Sequence, residues 1–193
     1  MPATATRANN RIDLVLDAAA ELFATKGFHE TSTRDIAALA RIQPGSLYYH
    51  FANKDGLLLA IYQEGVKRLT DAVEAEVASL SDPWERLEAA LRAHLETILN
   101  QTHYARVLIR VLPDSAPAIA DKLVQLRRDY EGLMRSYVDA LPLPEGTDRS
   151  LLRLFIIGAA NHAQVWHKPG QRTPAEIAQE LARMVRASAT ATE

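Results

Sequence analysis

No cysteine occurs in the 193-residue sequence, which excludes disulfide frameworks, thiolate metal sites and cysteine nucleophiles. Its absence also fits a protein held in a reducing cytosol. No apolar run reaches the roughly 18 to 20 residues that a membrane-spanning helix needs. The polar segment Met1–Asn10 has no apolar stretch typical of a signal sequence. We therefore expect a soluble, cytoplasmic protein without a membrane partner.

Motifs of enzymes are missing as well. The 8 glycines form no phosphate-binding loop, no serine lies in a nucleophile elbow, and the 6 histidines do not have the spacing of metal ligands. We therefore expect no catalytic site, no metal site and no cofactor.

An excess of positive charge is also lacking, because 22 Lys and Arg oppose 24 Asp and Glu. This balance would argue against nucleic-acid binding, whose affinity comes largely from neutralising phosphates. Asp13, Asp17 and Glu21, however, recur every fourth residue and so form one stripe of a helix. That stripe can point away from DNA while Arg34 and Lys54 point toward it. The distribution of charge therefore permits DNA binding even though its sum does not favour it.

Apolar residues repeat at helical spacing along the chain, and no alternating run of strand length competes with them. We predict an all-α fold with an N-terminal three-helix domain over residues 11–53 and a helical body over residues 54–187. Capping residues, prolines and glycines divide the chain into about nine helices, at about 11–26, 33–40, 44–50, 54–79, 83–100, 103–111, 116–140, 148–166 and 174–187.

The segment from Thr33 to Lys54 has the pattern of a helix-turn-helix. Ser32 and Asp35 predict a capping box before its first helix, and Pro44 suits the first turn of its second helix. Small side chains at the leading end of that second helix would let it approach base edges in the major groove. The predicted DNA contacts are Thr33, Arg34, Gly45, Ser46, Tyr48, Tyr49, His50 and Lys54.

Some of these residues have an alternative interpretation. Tyr49 could turn inward and complete a small core, because two adjacent aromatic side chains on a helix cannot point the same way. Arg34 and Lys54 could be ordinary solvated charges. Their placement at helix N-termini, where backbone N–H groups favour an anion, supports phosphate binding instead.

Thr31 to Leu58 resembles the DNA-binding head of the TetR family of bacterial regulators. The motifs that carry the resemblance are Thr33–Ala37, Gly45–Phe51, Asn53–Lys54 and Leu57–Leu58, and the helix before them matches at Ala19, Leu22, Phe23, Gly27 and Phe28. The chain departs from the family at Arg41, where many members have a small residue before the turn. Arg41 could be an additional phosphate contact or could simply face solvent.

The resemblance implies a homodimeric transcriptional regulator, a repressor that leaves its palindromic operator when the body binds a small hydrophobic or acyl-coenzyme-A-like effector. A DNA-binding architectural protein without an effector is the alternative, and a cavity in the body would distinguish the two. Predicted effector contacts, which a packed core would use equally well, are Trp84, Leu91, His94, Tyr104, Leu108, Tyr130, Met134, Tyr137, Asn161 and His162.

The C-terminal segments Val165–Gly170 and Thr173–Ala178 resemble family members that control lipid or acyl-thioester breakdown, which suggests an acyl coenzyme A as effector. Small and apolar residues on the last two helices predict a dimer interface, although they could equally form an intramolecular core. The predicted interface residues are Leu154, Ile157, Gly158, Val165, Ile177, Leu181 and Val185.

Overall fold

The computed structural model describes residues 3–100, 102–168 and 170–190, and all regular structure within them is helical. Two short 3-10 turns, Pro113–Ser115 and Pro117–Ile119, interrupt the chain in the middle. The α-helices are α1 (Ala3–Thr25), α2 (Thr33–Leu39), α3 (Pro44–His50), α4 (Lys54–Val77), α5 (Pro83–Leu99), α6 (His103–Arg110), α7 (Ala120–Asp139), α8 (Arg149–Asn161), α9 (Ala163–Trp166) and α10 (Pro174–Thr190).

The predicted all-α fold is confirmed, with differences at three helix boundaries. α1 begins at Ala3, eight residues before the predicted start. The predicted eighth helix is divided at His162 into α8 and the four-residue α9. α7 begins at Ala120 rather than Ala116, because the residue before a proline is disfavoured in helical conformation. Ala116, which precedes Pro117, accordingly has φ -140° and ψ 72°.

The described residues form two compact units. The first unit consists of the described residues within Met1–Val66 and Thr102–Arg127, and the second of those within Lys67–Gln101 and Arg128–Glu193. α4 and α7 therefore each contribute residues to both units. The functional boundary after residue 53 stays a prediction.

Local capping signals determine the conformation of the loop between α1 and α2. α1 ends at Thr25, and the chain turns away from it at Gly27, whose φ of 100° favours a residue without a Cβ. The predicted capping box before α2 is confirmed, because Ser32 Oγ accepts from Asp35 N at 3.1 Å and Ser32 N donates to Asp35 Oδ2 at 3.0 Å. Hydrogen bonds from Lys26 and Ser32 lower the pKa of the Asp35 carboxyl to about 2. These contacts fix the loop between α1 and α2.

Buried hydroxyl groups in the first unit are paired with other polar groups. Tyr104 on α6 donates to Asp17 Oδ1 on α1 at 2.9 Å, so one acid of the predicted stripe serves packing. Tyr62 on α4 donates to the carbonyls of Leu108 and Val111, and Arg127 on α7 donates to the Tyr62 hydroxyl at 2.9 Å. The C-terminal end of α6 is thereby held to α4 and α7.

The second unit is built around α5. Its buried residues Leu87, Leu91, Leu95 and Ile98 recur at helical spacing and face a core that α8, α9 and α10 complete. A polar pair lies inside this core, where His94 Nδ1 and the Tyr130 hydroxyl are 2.7 Å apart and their rings stack with centroids 5.8 Å apart.

Burial holds His94 in its neutral form. The ring is almost inaccessible to solvent, and burial lowers the pKa of His94 to about 4. An interaction with the Asn161 side chain opposes this shift, but Asn161 does not reach hydrogen-bonding geometry, and Nε2 has no hydrogen-bond partner within the described residues. Protonation of this ring would therefore leave a charge without compensation in an apolar core.

We predict that acidification from pH 7 to pH 5 destabilises the protein through His94. An unfolded histidine takes up its proton near pH 6.5, whereas folded His94 does so near pH 4, so the unfolded state binds more protons in this window. The contribution to the free energy of unfolding should fall by about 2 kcal/mol. Urea denaturation at both pH values, for wild type and His94→Gln, measures it.

The His94→Gln variant should lack this part of the pH dependence, whatever its stability at pH 7. His29→Gln, which alters an exposed histidine of the first unit, is the control and should keep the wild-type difference. Equal pH dependence in wild type and His94→Gln would show that His94 does not resist protonation.

Candidate nucleic-acid interface

The predicted recognition helix α3 has one buried and one exposed face. Pro44 occupies its first turn, Leu47 is completely buried, and Phe51 just beyond it is half-buried. Tyr48 and Tyr49 are 54% and 86% exposed. The alternative in which Tyr49 turns inward is therefore wrong. Gly45, Ser46 and His50 are exposed as well, so the outer surface of α3 presents hydroxyl and imidazole groups around a small leading end.

A side-chain hydrogen bond connects the start of α2 to the exposed face of α3. Thr33 Oγ1 on α2 and the Tyr48 hydroxyl on α3 are 2.9 Å apart. This bond ties two predicted DNA contacts to each other, and each hydroxyl retains capacity for a further hydrogen bond. Arg34, which follows Thr33, is exposed and has no ion-pair partner among the described residues. The structure thus brings Thr33 and Tyr48 together, and Arg34 adjoins this pair through its place in the sequence.

Lys54 has a different environment from the one expected for a surface charge. Its Nζ donates to the carbonyls of Phe28, His29 and Thr31 at 2.8, 3.2 and 3.1 Å, and it lies 4.5 Å from the centroid of the Phe28 ring. An ammonium group has three donors, so this arrangement occupies all of them. The solvated-charge alternative for Lys54 is therefore wrong, and the side chain fastens the loop between α1 and α2 to the start of α4. No local sequence signal indicated this contact.

Arg41 in the turn between α2 and α3 has a left-handed backbone, with φ 54°. The residue is exposed. The sequence marked Arg41 as a departure from the family, but it did not indicate this conformation.

The predicted effector residues are divided between the two units. Tyr104 and Leu108 belong to the first unit, where the Tyr104 hydroxyl bonds Asp17 and where a Cβ added at Gly65 would come within 3.1 Å of Leu108 Cδ1. The other eight belong to the second unit. Of these, Leu91, His94, Tyr130, Met134 and Tyr137 are buried, Trp84 is half-buried, and Asn161 and His162 are exposed.

The predicted interface residues likewise separate into two groups. Ile157, Ile177 and Val185 are buried within the second unit, as in the intramolecular alternative, and Leu181 is half-buried. Leu154, Gly158 and Val165 are exposed. Sequence reasoning missed four exposed apolar residues, Leu151 and Phe155 on α8, Trp166 on α9 and Met184 on α10. The helical spacing of Leu151 and Phe155 with Leu154 could have revealed the exposed face of α8.

The described residues contain neither a candidate membrane span nor a candidate metal site. No described helix combines the length and the apolar character that crossing a bilayer requires. Histidine and acidic side chains in the same residues form no group of three suited to a metal ion.

Comparisons with known proteins agree with this geometry. Residues 15–61 match the model of bacterial regulatory proteins of the tetR family, and residues 80–189 match that of the tetracyclin repressor-like C-terminal domain. The transcriptional repressor KstR2 of Mycobacterium tuberculosis is 29% identical over 179 residues, which cover 88% of either chain. The fatty acid metabolism regulator protein of Bacillus subtilis is 24% identical over 148 residues, 75% of this chain and 76% of its own.

A solved structure extends the agreement to three dimensions. AibR in complex with isovaleryl coenzyme A and operator DNA has a TM-score of 0.70 and 26% identity, and the match covers 90% of this chain and 97% of that one. Both parts of the chain thus match models of one family, and the second match alone spans more than half of the residues. The chain therefore belongs to the TetR family of bacterial regulatory proteins and is a transcriptional regulator of that family.

Proposed function

We propose that this regulator binds a palindromic operator as a homodimer, represses transcription, and is released by an acyl-coenzyme-A-like effector. In this proposal residues 11–53 bind DNA, and residues 54–187 bind the effector and form the dimer. The protein acts in the cytoplasm, on the bacterial chromosome, and not as an enzyme. The observation that carries the proposal is the exposed face of α3, where two adjacent tyrosines point outward while Leu47 is buried.

The proposed DNA contacts differ in what they recognise. Arg34 and the hydroxyls of Thr33, Tyr48 and Tyr49 suit phosphate oxygens, which position the protein without reading sequence. Gly45 and Ser46, together with His50, lie where α3 would approach base edges. Lys54 is assigned a positioning role in addition to any phosphate contact, because its ammonium already holds three carbonyls.

We predict opposite patterns of loss for Arg34→Ala and Ser46→Leu. Arg34→Ala should weaken binding similarly on all duplexes. It should also reduce the salt dependence, defined as the slope of log Kd against log salt concentration, by about one per protomer. Ser46→Leu should remove the preference for the selected duplex but leave random-duplex binding intact, because the larger side chain holds α3 away from the bases. Anisotropy titrations on a duplex selected by the wild type and on a random one measure both.

The result that would reject the DNA-binding proposal is a wild-type protein with no preference for any inverted-repeat duplex over genomic fragments. An unchanged salt dependence in Arg34→Ala would remove Arg34 alone from the contacts. Circular dichroism of both variants should match wild type, because both positions are exposed.

The proposed class of effector is supported by the similar proteins. One is a fatty acid metabolism regulator, and another was solved with isovaleryl coenzyme A and operator DNA. In the second unit a large apolar core contains few polar groups: the buried pair His94 and Tyr130, and the buried Arg153, which is paired with the half-buried Glu131. Apolar walls with few polar groups are typical of small-molecule sites.

We predict that isovaleryl or palmitoyl coenzyme A dissociates the protein from its selected duplex, whereas free coenzyme A does not. Binding to the folded state should also stabilise it by about 2.7 kcal/mol at a hundredfold excess over Kd. Anisotropy of the labelled duplex and thermal unfolding measure these effects. No response to either thioester would favour the architectural alternative, an effector-independent DNA-binding protein.

The proposed dimer surface is the exposed apolar face of α8 and α9 together with Met184. Leu151 and Phe155 are each 63% exposed and Val165 is 67% exposed, at positions that share one face of the helices with Leu154 and Gly158. Apolar exposure of this extent is typical of an interface. Two recognition helices must lie about 34 to 36 Å apart to enter successive major grooves, so operator binding depends on this contact.

We predict that Phe155→Glu converts the dimer to monomer, because a buried carboxylate without a partner destabilises an interface by at least about 2 kcal/mol. The dimer Kd should rise at least roughly thirtyfold, and operator affinity should fall with it. Analytical ultracentrifugation measures the association. Leu112→Glu, which places the same charge on an exposed leucine of the first unit, is the control, and equal effects of the two substitutions would contradict this assignment.

A further inference from the structure

The turn before the recognition helix closes in a way that ordinarily uses glycine. The N–H groups of Arg41 and Ile42 donate to the carbonyls of Ala38 and Ala37 at 3.2 and 3.0 Å, which is the hydrogen-bond pattern of a Schellman motif. Its left-handed position is occupied by Arg41, with φ 54°. No other non-glycine residue of the described chain has a positive φ, and a left-handed backbone is unfavourable for a residue with a Cβ.

The Arg41 side chain lines a groove of about 510 Å³ on the first unit. Arg11 of α1 lines the same groove, together with Ser46, Tyr49 and His50 from the exposed face of α3. Among the described residues, none that lines it is acidic. Both arginines are exposed, and neither has an ion-pair partner in the part of the chain that the structure describes.

We propose that Arg11 and Arg41 together bind one backbone phosphate of the operator, beside the bases that α3 reads. This inference rests on the proposed DNA binding, and it adds two contacts to those predicted from the sequence. Because the groove shares three residues with the exposed face of α3, a duplex seated on that face would place its sugar-phosphate backbone along the groove.

The chemistry of the side chain accounts for an arginine at this position. A guanidinium group is always charged and presents donors in a planar fork that matches two phosphate oxygens. Glycine would relax the backbone of the turn but would offer no charge. Stability and DNA affinity should therefore change in opposite directions when Arg41 is replaced by glycine, whereas a residue with a purely structural role would change both in the same direction.

Four substitutions at Arg41 and Arg11 test the proposal, with a duplex selected by the wild type and a random duplex of equal length as probes. Arg41→Gly should raise the melting temperature by about 2 °C and weaken binding to both duplexes roughly threefold to tenfold. Its salt dependence should fall by about one per protomer. Arg41→Ala should lose binding similarly without the gain in melting temperature, and Arg41→Lys should keep most of the salt dependence.

The pairing of the two arginines is tested by Arg11→Ala alone and combined with Arg41→Ala. If both bind one phosphate, the double variant should lose less affinity than the product of the two single losses. Losses that multiply would overturn the shared site.

Three further outcomes would overturn the proposal. If Arg41→Gly kept the affinity and salt dependence of the wild type, the phosphate site would be rejected. The proposed function would still stand in that case, because the wild type would still select its duplex. Loss on the selected duplex alone would show that Arg41 acts by orienting α3 and not by binding phosphate. A wild type that selects no duplex would reject the proposed function together with this inference.

Discussion

The surface offered to DNA depends on two helices that are too short to be stable alone. α2 and α3 have seven residues each, and isolated helices shorter than about 12 to 15 residues are marginal in water. Their conformation must therefore come from the core beneath them, where Ile36, Ala37 and Leu47 are completely buried. The position of the exposed face of α3 consequently depends on the packing of Leu47 and on the hydrogen bond between Thr33 and Tyr48.

The need to hold short helices in place also explains why Lys54 contacts the loop before α2. The carbonyl groups of Phe28, His29 and Thr31 belong to the loop between α1 and α2, outside any helix. The Lys54 ammonium binds all three. A cation at the start of α4 is thus used for positioning. Because the N-terminal part has no excess of positive charge, the positive groups left for phosphate are few, and Arg11, Arg34 and Arg41 are exposed without ion-pair partners among the described residues. DNA affinity in the N-terminal domain would therefore depend on where a few positive charges lie and not on an excess of positive charge.

Features determined by neighbours in sequence were predictable, and those determined by distant neighbours were not. The capping box of Ser32 depends on residues within a few positions, so the local pattern predicted it. The contact of Lys54 with Phe28 spans 26 residues, and no periodicity reports it. The same reason explains why burial of Ile157, Ile177 and Val185 inside the second unit could not be distinguished from burial in a dimer. Apolar spacing identifies a buried face but not the surface that covers it.

The buried polar pair of the second unit limits how an acyl coenzyme A could be recognised. Because burial lowers the pKa of His94 to about 4, this ring is neutral at physiological pH and offers hydrogen bonds but no charge. The coenzyme phosphates therefore need cations elsewhere on the protein. His94 and Tyr130 suit instead an uncharged polar group, such as the carbonyl of a thioester, inside an apolar site. Under the proposed function, the acyl part and the nucleotide part of the effector would thus be recognised by different kinds of residue, one set buried and neutral and the other exposed and basic.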